Sequence, residues 1–169
     1  MGRYRTPQKP GSKYITTEGE KALKDELHFL WKTKRPEVTQ SVSEAAAQGD
    51  RSENAEYIYG KKQLREIDSR IRFLRKRLED MVVVIKAPDD TSRIFFGAWV
   101  IVEDEQGNEA KYRLVGPDEF DLSKGYLSID SPLARKLLNK TINEEITVNT
   151  PEGEIFLIVK DVKYHLNTD

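Results

Sequence analysis

The sequence predicts an α+β protein in which an antiparallel two-helix coiled coil precedes a small domain built on an antiparallel sheet. Between residues 14 and 86, apolar residues recur at helical steps of three and four. After residue 86 the composition changes to short β-rich runs separated by turn residues. The predicted segments are therefore a flexible basic tail at 1–13, the helical hairpin at 14–86 and the α+β domain at 87–169.

The first helix of the hairpin is predicted from five apolar residues that share one helical face. Thr17 and Glu20 have the spacing of a capping box, which predicts the start of the helix. Pro36 interrupts the pattern, and because proline lacks a backbone N–H and clashes with the preceding turn, a kink or a break is expected there. Gly49 is typical of the C-terminal end of such a helix. The five apolar residues are Leu23, Leu27, Leu30, Val38 and Val42.

The second helix is predicted to start near Asp50 or Ser52 and has a regular heptad pattern. Its very short connection to the first helix requires the two to run antiparallel. At 1.5 Å per residue, roughly 30 residues would make an arm of about 45 Å. The residues of its apolar seam are Tyr57, Gly60, Leu64, Ile67, Ile71, Leu74, Leu78 and Met81.

The C-terminal segment is predicted to contain five strands and one short helix. Ser131 and Pro132 suit the N-cap and the first turn of that helix, which extends through Leu138. The strands are predicted at Ile94–Val102, Ala110–Val115, Tyr126–Ile129, Glu145–Val148 and Ile155–Val162.

Composition excludes several classes of protein. The chain has no cysteine, which excludes disulfides and thiolate zinc sites. It has neither a run of about 20 apolar residues nor a signal peptide, so we expect a cytoplasmic protein without membrane contact. A formal net charge of −1 means that any contact with nucleic acid must come from a local basic patch. Phosphate-binding glycine loops are absent. The aromatic residues Trp31, Trp99, Phe95 and Phe96 are predicted to be packing residues rather than a base-stacking platform.

Two carboxylates stand at the predicted tip of the hairpin. Asp50 and Glu53 are three residues apart, a spacing that brings both side chains together at a helix start. Oxygen ligands of this kind suit Mg²⁺, although two carboxylates can only complete a site whose other ligands belong to a partner. The alternative is that Asp50 is the N-cap and Glu53 the N3 residue of the helix. The two interpretations compete for the same oxygens, and the residues alone favour capping.

Basic residues crowd one stretch of the second helix, in which the only acids are Glu66 and Asp68. Residues 61, 65, 72 and 76 follow one another at steps of four, seven and four, which builds a basic face. Such a face could hold an RNA backbone by neutralising phosphates. The alternative is a solvated helix with intrahelical ion pairs. The stretch contains Lys61, Lys62, Arg65, Arg70, Arg72, Arg75, Lys76 and Arg77.

Several motifs together resemble those of one family, and the resemblance extends from about Tyr14 to the end of the chain. The tip sequence is GDRSENAEY at 49–57, and KKQLREID follows at 61–68. LW at 30–31, RPEVT at 35–39, FFGAWV at 95–100 and SIDSPLAR at 128–135 also match, in order. These motifs resemble the Gre transcript-cleavage factors of bacteria, and the GreB branch in particular.

The resemblance implies an FKBP-like C-terminal domain that docks on the rim of RNA polymerase, and a monomeric protein whose coiled coil enters the secondary channel. It implies that Asp50 and Glu53 help to retain a Mg²⁺ shared with the polymerase, so that the protein is not an enzyme on its own. The docking loop corresponds to Asp130, Ser131 and Pro132. The surface for the nascent RNA 3′ end corresponds to Lys61, Lys62, Arg65, Arg72, Arg75 and Lys76.

Two other functions stay open at this point. A channel-binding regulator that never promotes cleavage would have a similar shape. The FKBP-like half could also act as a prolyl isomerase or chaperone, because fold does not fix function.

Overall fold

The computed structural model describes residues 11–49, 51, 53–151 and 153–165. It confirms the α+β class: a long helical hairpin accompanies a domain with a curled, mixed sheet. The contacts divide these residues into two compact units, a helical unit of residues 20–81 and a sheet-containing unit of residues 11–19 and 82–165.

In the described part of the chain, the helical hairpin consists of three α-helices and one π-helical turn. Helix α1 is Thr17–Phe29, a π-helical turn follows at Leu30–Lys34, α2 is Arg35–Ala47, and α3 is Ala55–Asp80. Helices α2 and α3 are antiparallel, since Ala45 is hydrogen-bonded to Asn54 near the tip whereas Arg35 is hydrogen-bonded to Asp68 farther along.

The predicted apolar seam forms the core of the helical unit. Its buried members are Val38, Val42, Ile67 and Ile71, and half-buried side chains flank them on both helices. Heptad spacing predicted this core because positions three and four apart face the same neighbouring helix. The flanking side chains are Leu27, Leu30, Tyr57 and Leu64.

The break considered at Pro36 does not occur, because helical structure continues from Thr17 to Ala47. The irregularity instead takes the form of the π-helical turn directly before the proline, in which the N–H of Arg35 bonds the carbonyl oxygen of Leu30. Proline removes one helical hydrogen bond in any case, and π-helical structure occurs mostly as single turns of this kind inside α-helices.

The capping box predicted at Thr17 and Glu20 is wrong. The cap is Thr16, whose Oγ1 accepts a hydrogen bond from the N–H of Gly19 at 3.0 Å. The reciprocal carboxylate comes from Glu119, whose Oε2 accepts from the N–H of Thr16 at 3.0 Å. Gly19 makes room for this carboxylate, since an added Cβ would lie 2.2 Å from Glu119 Oε1.

The sheet-containing unit has a two-stranded parallel ladder and a five-stranded sheet. In the ladder, β1 (Tyr14–Thr16) pairs with β2 (Val82–Val84). This pairing joins residues on both sides of the hairpin. The larger sheet has the order β5-β4-β3-β7-β6. Its strands are β3 Trp99–Asp104, β4 Glu109–Val115, β5 Tyr126–Ser128, β6 Glu145–Thr150 and β7 Gly153–Lys163.

The expectation of a purely antiparallel sheet is wrong for one strand pair. Strands β4 and β5 are parallel, whereas the other three pairs are antiparallel. The connection between β4 and β5 contains two short 3-10 turns, Pro117–Glu119 and Leu122–Lys124, and allows the chain to return in the same direction.

The remaining elements of this unit agree with the sequence in part. The first predicted strand begins five residues late, at Trp99, although Ile94 and Ala98 are fully buried in the core. The apolar residues at those positions reflect burial in the core and do not belong to a strand. Helix α4, Pro132–Leu137, begins as predicted, with Ser131 Oγ accepting from the N–H of Ala134 at 3.1 Å.

Candidate functional site

The tip of the hairpin is organised by Asn54. Helix α3 begins at Ala55, later than the start predicted near Asp50 or Ser52, both of which lie outside the described residues. Asn54 is the N-cap, and its Oδ1 accepts a hydrogen bond from the N–H of Tyr57 at 3.1 Å. An asparagine oxygen satisfies an unpaired N–H of the first turn as well as an aspartate would.

This cap changes the position of Glu53. The residue precedes the N-cap and is not the N3 residue, so the capping alternative does not hold for Glu53. Its side chain is exposed, and within the described part of the chain its carboxylate makes no hydrogen bond or ion pair.

The tip is also tied to the end of the preceding helix. The Nδ2 of Asn54 donates a 2.7 Å hydrogen bond to the carbonyl oxygen of Ala45. In the second turn of α3, Gly60 lets the helices approach closely, because an added Cβ would lie 2.5 Å from Cγ2 of Val42. These contacts hold in place the start of α3, and Glu53 directly precedes its N-cap.

The described residues contain no group of three or more His, Cys, Asp or Glu side chains placed to hold a metal ion. Carboxylate oxygens nevertheless have the chemistry that Mg²⁺ prefers. Glu53 could contribute one ligand to a site completed by another molecule.

Most cations on the basic face of α3 have no carboxylate partner among the residues that the structure describes. All six predicted RNA-binding residues are exposed. Lys62 lies 4.0 Å from Glu66, but in the described ranges the other five make no ion pair. The second acid of this stretch, Asp68, is bonded to Arg35 on α2. The ion-paired alternative therefore applies to Lys62 and not to Lys61, Arg65, Arg72, Arg75 or Lys76.

Trp31 is not a buried packing residue. It was predicted to be a packing residue, yet 43% of its surface is exposed. The guanidinium carbon of Arg75 lies 4.6 Å from its ring centroid, and that of Arg35 lies 5.8 Å away. The sequence does indicate this exposure, because Trp31 follows Leu30 and therefore lies off the apolar seam.

The three predicted docking residues lie together at the start of α4. Ser131 is the N-cap described above, and Pro132 occupies the first turn with an exposed ring. The Oδ2 of Asp130 accepts a 2.7 Å hydrogen bond from the N–H of Ser12. Two of the three side chains thus have structural partners, while contact with a polymerase stays a prediction.

Among the described helices, none has the length and apolar character needed to cross a membrane.

Comparisons with known proteins account for nearly the whole chain. The family described as "Transcription elongation factor, N-terminal" matches residues 13–83, and "Transcription elongation factor, GreA/GreB, C-term" matches residues 87–164. The transcription elongation factor GreB of Pseudomonas aeruginosa is 60% identical over 97% of this chain and 98% of its own length. That of Yersinia pestis is 59% identical over 90% of each chain.

Among solved structures, the GreA factor homolog 1 protein of Thermus thermophilus is 22% identical, with a TM-score of 0.40 over 89% of this chain and 97% of its own. The two family matches and the GreB relatives agree on one assignment. The chain belongs to the GreA/GreB family of transcription elongation factors.

Proposed function

We propose that this elongation factor rescues backtracked RNA polymerase by stimulating the polymerase's own Mg²⁺-dependent cleavage of the nascent RNA 3′ segment. One observation carries the proposal: Asn54 takes the cap of α3, and Glu53 is left exposed and without a partner in the described residues at the end of a long hairpin. A carboxylate needed only for helix capping would be engaged with backbone N–H groups.

In this proposal, Asp50 and Glu53 supply oxygen ligands at the polymerase active site. A second Mg²⁺ held there would promote attack by water and stabilise the leaving oxygen of the phosphodiester. The factor's own contribution is to bind and orient: the Asn54 bridge and the close packing at Gly60 hold the tip. Because two carboxylates are too few ligands for Mg²⁺, the isolated factor should bind the ion weakly and have no nuclease activity.

The basic face would hold the RNA that leaves the active site during backtracking. Five of its cations have no carboxylate partner among the described residues, and this supports the role, since phosphate contacts there would break no ion pair with any of those residues. The C-terminal unit would dock on the polymerase rim through Asp130, Ser131 and Pro132, and the hairpin would enter the secondary channel. The factor would accordingly act in the cytoplasm with bacterial RNA polymerase.

The test uses a backtracked elongation complex with end-labelled RNA, Mg²⁺ and added factor. Wild type should shorten the RNA and leave an end that can be extended, whereas an Asp50→Asn, Glu53→Gln variant should bind but not promote cleavage. Glu56→Gln is the matched control, because Glu56 is exposed in the first turn of α3. Retained cleavage by the double variant would refute the proposal. Slower nucleotide addition without fragments, by wild type and variant alike, would indicate a channel regulator.

A further inference from the structure

We propose that Trp31 is a positioning residue for Arg75, and that their stack fixes part of the surface for unpaired RNA on α3. The ligand is the phosphodiester backbone of a single strand. The binding site stands on its own geometry, and only its use during transcript cleavage rests on the function proposed above.

The stack holds the Arg75 guanidinium in a defined place. Its carbon lies 4.6 Å from the Trp31 ring centroid, a distance at which the ring attracts the cation. Both side chains are exposed. A planar guanidinium held in this way keeps N–H groups available for phosphate oxygens, and less side-chain freedom is lost when they bind.

Arg35, the second arginine near the Trp31 ring, differs from Arg75 because it is paired with a carboxylate. Arg35 Nε donates a 2.7 Å hydrogen bond to Asp68, so its charge is already neutralised. Arg75 makes no ion pair within the described ranges. A phosphate can therefore bind Arg75 without displacing a carboxylate.

The surroundings of Arg75 favour a polyanion over a single anion. Arg72 and Lys76 lie within one turn of it, and both are exposed and have no ion pair with any described residue. Arg75 is also twenty residues from the start of α3 at Ala55, which is about 30 Å along the helix. An RNA chain can span this distance, whereas a single anion cannot.

The hairpin contains a matched pair of residues in which the cation is neutralised. Arg70 lies 5.2 Å from the ring centroid of Phe73, which is 48% exposed. Its Nε and Nη2 donate hydrogen bonds of 2.6 and 2.8 Å to the carboxylate of Glu26. Phe73→Leu therefore removes an exposed aromatic–arginine stack of the same kind. The arginine in this stack is already paired with Glu26, so its binding to phosphate should not change.

The experiment measures binding of a labelled, unstructured oligouridylate to the full chain across a salt series. Trp31→Leu should weaken binding about threefold, the size of an exposed cation–π contact. Trp31→Phe should restore most of the loss, and Phe73→Leu should match wild type. Arg75→Gln should reduce the slope of log affinity against log salt by about 0.7.

The decisive readout is the double variant. If Trp31 acts through Arg75, Trp31→Leu should cause no further loss in the Arg75→Gln background. An equal loss in both backgrounds, no recovery with Trp31→Phe, or the absence of salt-dependent binding by wild type would each overturn the inference.

Cleavage assays separate this inference from the proposed function. In backtracked complexes, Trp31→Leu should slow cleavage when the extruded RNA is long enough to reach Arg75 and leave short extrusions unaffected. Equal slowing at both lengths would contradict the inference. If the Asp50→Asn, Glu53→Gln variant still cleaves, the proposed function fails while the oligouridylate result stands.

Discussion

Asn54 donates a 2.7 Å hydrogen bond from Nδ2 to the carbonyl oxygen of Ala45, so a single amide both caps α3 and joins it to the end of α2. Asn54→Ala removes both bonds and should cost about 1–2 kcal/mol of hairpin stability. The cleavage rate at saturating factor should fall while affinity for the polymerase changes little, because the tip alone is loosened. Thermal unfolding and the saturating rate measure the two effects.

Asn54→Asp tests the two hydrogen bonds separately. A carboxylate can still accept the hydrogen bond from the N–H of Tyr57, but it cannot donate one to the carbonyl oxygen of Ala45. The loss of stability in Asn54→Asp should be smaller than that in Asn54→Ala. Identical unfolding curves for wild type and Asn54→Ala would show that neither bond matters.

The close approach at Gly60 should be sensitive to one added methyl group. In Gly60→Ala the new Cβ would lie 2.5 Å from Val42 Cγ2, and overpacking of this kind costs about 1–3 kcal/mol. The helix propensity of alanine offsets about 1 kcal/mol of that. Urea unfolding followed by circular dichroism should therefore show a net loss of stability, whereas Ser69→Ala on the exposed surface should show none.

Val42→Ala tests the cause of that loss. In the double variant with Gly60→Ala the added methyl group has space, so the combined loss should be smaller than the sum of the two single losses. Additive losses would show that the helices are held apart by other contacts.

Glu119 should be essential for the start of α1. Its Oε2 accepts hydrogen bonds of 3.0 Å from the N–H groups of both Thr16 and Gly116, and its Oε1 accepts from the hydroxyl of Thr16. Glu119→Gln places an amide donor against these donors and should cost about 1.5–3 kcal/mol in thermal unfolding. Glu154→Gln, on an exposed side chain, is the control. Equal stability of the two variants would contradict this account.

Tyr164 should stabilise the C-terminal unit in a pH-dependent way. Its hydroxyl accepts from the N–H of Phe95 at 2.8 Å and donates to the carbonyl oxygen of Arg93 at 2.5 Å. Tyr164→Phe should cost about 1–2 kcal/mol at neutral pH. Burial raises the pKa of Tyr164 above its usual value of 10.0, so the stabilisation is present below pH 10 and is lost as pH rises through the folded-state value.

Unfolding experiments at neutral pH and above pH 10 test this prediction. The difference in stability between wild type and Tyr164→Phe should shrink in the alkaline range. A stability difference between the two proteins that grows with pH would contradict the prediction.

Features that depend on neighbours in the sequence were predictable. The seam at Ile67 and Ile71 follows from helical periodicity, and the cap at Ser131 follows from the proline beside it. The cap of α3 was harder, because Asp50, Ser52 and Asn54 are all good N-cap residues and only the contact of Asn54 with α2 shows which one is used.

Features that depend on distant residues could not be predicted. The partner of Thr16 lies 103 positions away, at Glu119. The environment of Trp31 depends on an arginine of α3, so its residue type alone suggested packing. The parallel pairing of β5 depends on the path of the connection from β4, which hydrophobic alternation does not encode.

In the function proposed above, the tip carboxylates supply ligands for Mg²⁺. The most direct test is the cleavage rate of a backtracked complex as a function of Mg²⁺ concentration, with wild type, Glu53→Gln and the control Glu56→Gln. Glu53→Gln should need a higher Mg²⁺ concentration for half-maximal cleavage while binding the polymerase normally, and Glu56→Gln should match wild type. Superimposable Mg²⁺ curves for all three proteins would contradict the claim.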